Sequence, residues 1–221
     1  DGQPWDFSRS EKRERARSLL RSQRPLFLVG SVMCTAWSSW QQLNAAHDPE
    51  GHQRALVAAR VHLQFLIELY REQMADGRYF LHEHPAYAAS WNEPMVQDLL
   101  ATPGVGKTNA DQCQYGASVL SGEHAGSPVK KPTGFCSNAP YLLAALSRRC
   151  TGHGGACTRP QGGQHVMCEG KIAKEAAVYP PGLCKAIIKG ATDQLRHDGY
   201  VRPGHIGLIS PDDEAERDKC I

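Results

Sequence analysis

Two short apolar segments separated by one long amphipathic helix constrain the fold of this 221-residue chain. Residues 26–29 follow a proline and are typical of a buried strand, and residues 78–81 form a second short strand. Between them, apolar residues recur at helical spacing across residues 53–75. This order predicts a βαβ unit with parallel strands, because such strands require a crossover and the crossover is nearly always right-handed.

The rest of the chain alternates helical and extended patterns, which is typical of the α/β class. We expect residues 114–138 to be a loop with one hairpin, and the tail from residue 203 to be acidic and mobile. Further helices are predicted at residues 8–23, 92–101, 138–149 and 181–197, with a weak strand at residues 105–113.

Composition permits a buried core, since 41% of the residues are hydrophobic and 22% are charged. The formal net charge of +2 does not by itself indicate a nucleic-acid partner. No apolar run reaches membrane-spanning length, and no signal peptide is visible, so no membrane association is expected. A chain of this size does not need its eight cysteines for disulfides, which favours reduced thiols in an intracellular protein, nuclear or cytoplasmic.

Cys34 follows the first predicted strand, and Glu83 follows the second. Ligands bind at the carboxyl ends of parallel strands in open sheets, so we expect both side chains to face one crevice. A thiolate in an exposed loop can act as a nucleophile, with the carboxylate as its acidic partner. The structural alternatives are a cysteine buried for packing and a solvated glutamate at a strand end.

The segment around Cys34 resembles the catalytic loop of cytosine-C5 DNA methyltransferases. Cys34 matches the family's nucleophile, and Trp37-Ser38 stand where Phe-Ser is usual, but Met33 replaces the familiar proline. Glu83 matches the glutamate that holds the flipped cytosine in that family.

More broadly, the chain resembles a divergent, mobile-element-associated branch of methyltransferase-like domains, over stretches spread through most of its length. They are residues 5–7, 30–38, 77–91, 111–116, 131–135 with 137–138, and 179–180.

The resemblance implies a Rossmann-like methyltransferase core acting on DNA. In that mechanism Cys34 attacks C6 of a flipped cytosine, Glu83 contacts N3, and C5 takes a methyl group from S-adenosylmethionine. It also implies a set of substrate-binding residues. They are Ser31, Thr35, Ser38, Gln112 and Lys131.

The chain departs from this family before Pro25, where no strand followed by a glycine-rich turn is predicted. We therefore expect the methyltransferase-like α/β domain of residues 1–202 to be incomplete at its N-terminus, with residues 203–221 as the tail. Another chain or a missing N-terminal segment would complete the fold and the S-adenosylmethionine pocket. The alternative is a catalytically inactive nucleic-acid-binding or structural module of a mobile-element-derived polyprotein.

Residues 150–170 form a glycine-rich insertion with several soft metal ligands. Zinc requires four thiolate or imidazole ligands in a tetrahedron, and short glycine-rich spacers let the backbone fold around it. The preferred ligand set is Cys150, Cys157, His165 and Cys168, with His153 as an alternate. A flexible basic loop with incidental cysteines would explain the same residues without a metal.

Overall fold

A mixed four-stranded sheet with helices on both faces forms the protein. The computed structural model describes residues 5–38 and 41–201. The strands are β1 Phe27–Ser31, β2 Tyr79–Pro85, β3 Gly106–Asp111 and β4 Pro132–Ser137, in the spatial order β1-β2-β4-β3. The helices in this part of the chain are α1 Ser10–Gln23, α2 Gln41–His47, α3 Pro49–Ala75, α4 Pro94–Leu100, α5 Pro140–Ala145, α6 Gly170–Glu175 and α7 Pro181–His197.

The predicted βαβ unit is confirmed. β1 and β2 pair in parallel, with Phe27 opposite Tyr79 and Ser31 opposite Glu83, and α2 and α3 make the crossover between them. α3 packs so closely on β1 that a Cβ at Gly30 would lie 2.0 Å from the Tyr70 hydroxyl oxygen. Glycine is therefore required at this point of the sheet.

Local capping explains where α3 begins and ends. The Asp48 side chain accepts a hydrogen bond of 2.9 Å from the Gly51 backbone N–H, and Pro49 occupies the first turn. At the other end Gly77 adopts a φ of 69°, which ends the helix and turns the chain into β2.

Residues 114–138 were expected to be a loop with one hairpin. The antiparallel bridge between Ser118 and Pro128 agrees with that hairpin, but β4, which follows it, was not predicted. It starts at Pro132 and contains Gly134, two residues that weaken a strand signal. β4 lies between β2 and β3 and runs antiparallel to both, with Phe135 opposite Glu83 on one side and Thr108 on the other. The expectation that Glu83 follows the second strand was also wrong, because β2 continues to Pro85.

Each face of the sheet is covered by its own apolar core. On one face Phe80 packs with residues of α3 and α4, among them Tyr70 and Leu99. On the opposite face Leu81 packs against α5 and α7. Gly190 of α7 allows this packing, since a Cβ there would come within 2.8 Å of the Leu142 Cα.

α1 closes the structure next to the first core. Leu20 is buried against Phe65 and Leu69 of α3. Arg21 pairs with Glu72 of α3 at 2.8 Å, and Arg17 pairs with Glu68. These exposed ion pairs add little energy singly, so α1 is held mainly by the burial of its apolar edge.

Two histidines of β2 lie inside the first core. His82 Nδ1 is 3.1 Å from the Tyr70 hydroxyl, and His84 Nδ1 is 2.5 Å from the Ser90 hydroxyl. Burial lowers the pKa of His82 to about 3 and that of His84 to about 4. Both histidines are therefore neutral in the folded protein at neutral pH, whereas in the unfolded chain they take up protons below about pH 6.5.

This difference predicts acid sensitivity. The unfolded state binds more protons than the folded state between about pH 6.5 and the folded pKa of each histidine. As the pH falls through this range, each histidine lowers the free energy of unfolding by about 1.4 kcal/mol per pH unit. We expect His82→Phe to make the loss of stability between pH 6.5 and 4 less steep by about this amount. Urea unfolding at several pH values, with a chelator present throughout, measures the slope.

The matched control is His124→Gln, since His124 is exposed. This variant should keep the wild-type slope. An unchanged slope in His82→Phe would contradict the assignment of a neutral buried imidazole.

Candidate metal centre

Three cysteines and one histidine from separate parts of the chain converge beside the end of β3. Cys113 lies in the 3-10 turn Gln112–Tyr115 that directly follows β3. Cys150 follows α5, and Cys157 and His165 lie in the glycine-rich segment beyond it. Their ligand atoms, three Sγ atoms and one imidazole nitrogen, all lie within 4.8 Å of one another.

A short hairpin-like pairing places Cys157 and His165. Ala156 forms an isolated antiparallel bridge with Gln164. The Cys157 N–H donates to the Gly163 carbonyl at 2.8 Å, and the His165 N–H donates to the Gly155 carbonyl at 2.8 Å. The two ligands therefore face each other across a tight turn.

Glycine is necessary in this segment where the backbone approaches closely and where φ is positive. A Cβ at Gly152 would lie 1.9 Å from the Ala156 carbonyl oxygen, so the chain can close here only without a side chain. Gly155 and Gly163 adopt φ angles of 85° and 101°, which other residues rarely adopt. The glycine content thus follows from folding the backbone around the cysteines.

The separations within the group are too long for disulfides and short enough for a shared ion. The Sγ atoms of Cys150 and Cys157 are 3.9 Å apart, and Cys150 Sγ is 3.6 Å from His165 Nε2. A disulfide would need about 2.05 Å between the sulfurs. Cys113, Cys150 and Cys157 are all buried free thiols, so this Cys3His group could hold a metal ion.

Hydrogen-bond donors surround the sulfur atoms. The Thr158 backbone N–H and hydroxyl lie 3.4 and 3.5 Å from Cys150 Sγ. Gln114 Nε2 lies 3.7 Å from Cys113 Sγ and 3.8 Å from Cys157 Sγ. Hydrogen bonds from such donors favour thiolate sulfur and orient it.

These donors act on the acidity of Cys150. Burial by itself raises the pKa of this thiol, but hydrogen bonds from Thr158 and from the Gly152 N–H outweigh burial and lower the pKa to about 6. At Cys113 burial outweighs the hydrogen bond from Gln114 and raises the pKa. Cys150 is therefore better prepared than Cys113 to be a thiolate without a metal.

Asp111 anchors the group to the sheet. This fully buried carboxylate ends β3, and its Oδ2 accepts hydrogen bonds from the Cys150 N–H at 2.8 Å and from Arg149 Nε at 2.9 Å. The Asp111 N–H also donates to the Arg148 carbonyl. The loop after α5 is thus fixed beside the turn that carries Cys113.

The convergent group differs from the predicted ligand set in one member. Cys150, Cys157 and His165 come together as expected, but Cys113 takes the place assigned to Cys168, which is exposed and lies outside the group. His153, the alternate ligand, is also exposed. Cys113 was missed because it lies far from the others in sequence, and only the docking of β3 against the loop after α5 brings it near.

The Glu83 carboxylate forms a second buried polar feature. Glu83 is 5% exposed, and Ser31 donates its hydroxyl proton to Oε2 at 2.6 Å across the parallel pair. The hydroxyl of Tyr179 also faces Glu83, and its pKa is raised, first by burial and then by that carboxylate. Within the described residues Glu83 has no hydrogen bond with Cys34, which is exposed on the loop after β1.

The remaining predicted substrate-binding residues are spread over several environments. Thr35 is exposed at the start of a 3-10 turn, and Ser38 caps that turn by donating to the Thr35 carbonyl. Gln112 is 1% exposed and donates to the Thr133 hydroxyl at 2.9 Å. Lys131 donates to the Ala176 carbonyl at 2.8 Å. Gln112 and Lys131 therefore make internal contacts in this structure.

None of the described helices combines the length and apolar character needed to cross a membrane. With the fold and the group defined, the chain can be compared with known proteins. No family model matches it, and neither a curated protein nor a solved structure matches it.

Proposed function

We propose that this chain is a zinc-binding α/β module whose Cys3His centre is structural. The supporting observation is the spacing of the ligand atoms. Ligands of tetrahedral zinc, at about 2.3 Å for sulfur and 2.0–2.1 Å for nitrogen, are about 3.8 Å apart for two sulfurs and about 3.6 Å for sulfur and nitrogen. The separations of 3.9 Å and 3.6 Å around Cys150 agree with both values.

The donor set also favours zinc over other biological metals. Three thiolates and one imidazole suit zinc, whereas calcium and magnesium prefer oxygen ligands. Four protein ligands leave no position for water or substrate, which is the pattern of a structural site. The metal would then connect the end of β3 to the loop of residues 150–165, two segments far apart in sequence.

Substitution of single cysteines tests this ligand set. We expect the purified protein to hold one zinc per chain and Cys113→Ser to lose most of it, because three ligands bind zinc far more weakly than four. The exposed Cys168 is the matched control, and Cys168→Ser should keep the full zinc content. Elemental analysis and the visible spectrum of the cobalt-substituted protein measure occupancy and thiolate ligation. Loss of zinc in Cys168→Ser with retention in Cys113→Ser would refute the proposed centre.

Metal removal should also lower thermal stability. A ligand at 1,000 times its Kd stabilises a fold by about 4 kcal/mol. For a chain of this size that corresponds to a decrease in Tm of about 10 °C on chelation. Calorimetry with and without chelator measures the shift, and added zinc should restore it. A Cys113→Ser protein that responds to the chelator as the wild type does would contradict a structural role for this centre.

A second candidate function is cytosine-C5 methyl transfer through Cys34 and Glu83. Two observations support it. The parallel pairing of β1 and β2 sets Ser31, the last residue of β1, opposite Glu83, and the loop with the exposed Cys34 follows Ser31. Glu83 is also a buried carboxylate with no cationic partner among the described residues, and such groups are more frequent at functional sites than elsewhere.

The residues described before β1 do not fit the S-adenosylmethionine site of this family. They form α1 instead of a strand followed by a glycine-rich turn. The proposal is therefore limited to the thiol and the carboxylate. Cys34 would add to C6 of a flipped pyrimidine, and Glu83 would bind N3 of the ring.

A covalent trap tests this second function without requiring methyl transfer. In DNA that carries 2-pyrimidinone at one position, the thiolate adds to C6 and C5 takes up a proton, so no leaving group is needed. We expect the wild type to form an adduct that resists denaturation. Cys34→Ala should form none, whereas Cys184→Ala, which changes another exposed cysteine, should still form it. Calorimetric titration with S-adenosylmethionine would show separately whether the cofactor binds. A different result would favour the catalytically inactive nucleic-acid-binding module. In that case the protein binds DNA in a salt-sensitive way, forms no adduct, and binds DNA equally well as Cys34→Ala.

A further inference from the structure

Two of the three thiols in the Cys3His group belong to one short segment of the chain. Cys150 and Cys157 are separated by 7 positions in the glycine-rich segment, whereas Cys113 comes from the turn after β3. The Sγ atoms of Cys150 and Cys157 are 3.9 Å apart. They would have to approach each other by about 1.9 Å to form a disulfide, in which the sulfur atoms are about 2.05 Å apart.

The backbone between Cys150 and Cys157 is able to make such a movement. Residues 153–156 are all exposed, and they include Gly154 and Gly155. Glycine gives the backbone more conformational freedom than any other residue. Because these residues pack against little else, a small shift of this stretch breaks no apolar core.

Access to solvent also separates this pair of thiols from Cys113. Cys150 and Cys157 are 6% and 8% exposed, and the chain between them is at the surface, so a small oxidant can reach them through a brief local opening. Cys113 is 0% exposed and lies between the buried residues Gln112 and Tyr115. An oxidant could reach Cys113 only if the end of β3 separated from its surroundings.

We propose that Cys150 and Cys157 form a site of oxidative modification, at which a peroxide joins the two thiols in a disulfide and the bound metal ion is released. This inference rests on the zinc centre proposed above and names how that centre is regulated. We call the pair the oxidation site.

Hydrogen peroxide supplies the oxidising equivalents for this reaction. One thiolate attacks a peroxide oxygen and the O–O bond breaks, which gives a sulfenic acid and a hydroxide ion. The second thiolate attacks the sulfenic sulfur, the S–S bond forms, and a second hydroxide ion leaves. The two sulfurs together lose two electrons, which the peroxide gains, and zinc remains Zn²⁺ throughout.

Formation of the disulfide removes two of the four metal ligands. The thiolate is the form of cysteine that binds metals, so neither oxidised sulfur remains a good ligand. Only Cys113 and His165 are then left, and a structural zinc site needs four ligands. The ion that joins the end of β3 to the glycine-rich segment is therefore lost.

Contacts that do not involve the metal keep the glycine-rich segment in place. The Asp111 carboxylate still holds the Cys150 N–H. Arg159 donates to the Ser118 hydroxyl at 2.7 Å and to the Gly126 carbonyl at 2.8 Å. Because both ends of the oxidation site stay anchored, we expect reduction of the disulfide to restore metal binding.

Zinc release and disulfide mapping in the full chain test this inference. Zinc content is measured first, and hydrogen peroxide is then added in the presence of a coloured zinc indicator. We expect release of about one zinc per chain. Differential alkylation and fragment mass spectrometry should find Cys150 joined to Cys157, and a phosphine reductant followed by zinc should restore the original content.

Two matched variants separate the oxidation site from the rest of the centre. Cys157→His and Cys113→His both leave two cysteines and two histidines, which is also a zinc-binding set. Cys113→His retains the oxidation site, so it should release its zinc as the wild type does. Cys157→His should keep most of its zinc at the same peroxide dose. Cys168→Ser, which removes a nearby exposed thiol, should behave as the wild type.

Three results would overturn the inference. They are zinc that stays bound under peroxide, a disulfide that includes Cys113 or Cys168, and equal zinc release by Cys157→His and Cys113→His. If the untreated protein holds one zinc per chain, these results leave the proposed centre intact. A protein without zinc before oxidation would refute the centre and the oxidation site together. The disulfide mapped in the wild type decides the pairing without either variant.

Discussion

The register of β2 between β1 and β4 is the constraint on which the rest of this structure depends. Alternate residues of the strand point to opposite faces, so Phe80, His82 and His84 enter the core under α3 while Leu81 and Glu83 face α5 and α7. A slip of one residue would bury the carboxylate in the first core and move two imidazoles to the other side. The placement of both polar features thus follows from one set of backbone hydrogen bonds.

The Cys3His group shows how a polar group can be built at the margin of such a sheet. Asp111 is fully buried at the end of β3, and its hydrogen bonds to Cys150 and Arg149 fix the loop after α5. The turn after the same strand supplies Cys113. In the proposed structural role, the ion would replace an apolar core that these glycine-rich residues cannot form.

Much of the fold could be predicted from periodicity and capping. The long helix, its flanking strands and α7 have strong local signals, such as the apolar face of α3 and the proline that begins α7. β4 could not be predicted, because its proline and glycine suppress the strand signal and its place depends on partners distant in sequence. Cys113 was not predicted as a ligand for the same reason. Local spacing indicated three ligands of the group, whereas Cys113 joins them only because distant segments pack together.

The strand order has a consequence for how the outermost strand is held. β3 precedes β4 in sequence but lies outside it in the sheet, so β4 is the only strand that β3 pairs with in the described part of the chain. Cys113 follows β3 and Cys150 follows α5, so the two cysteines lie on opposite sides of β4 in the sequence. A metal ion bound by both cysteines would tie these two segments together and oppose the separation of β3 from β4.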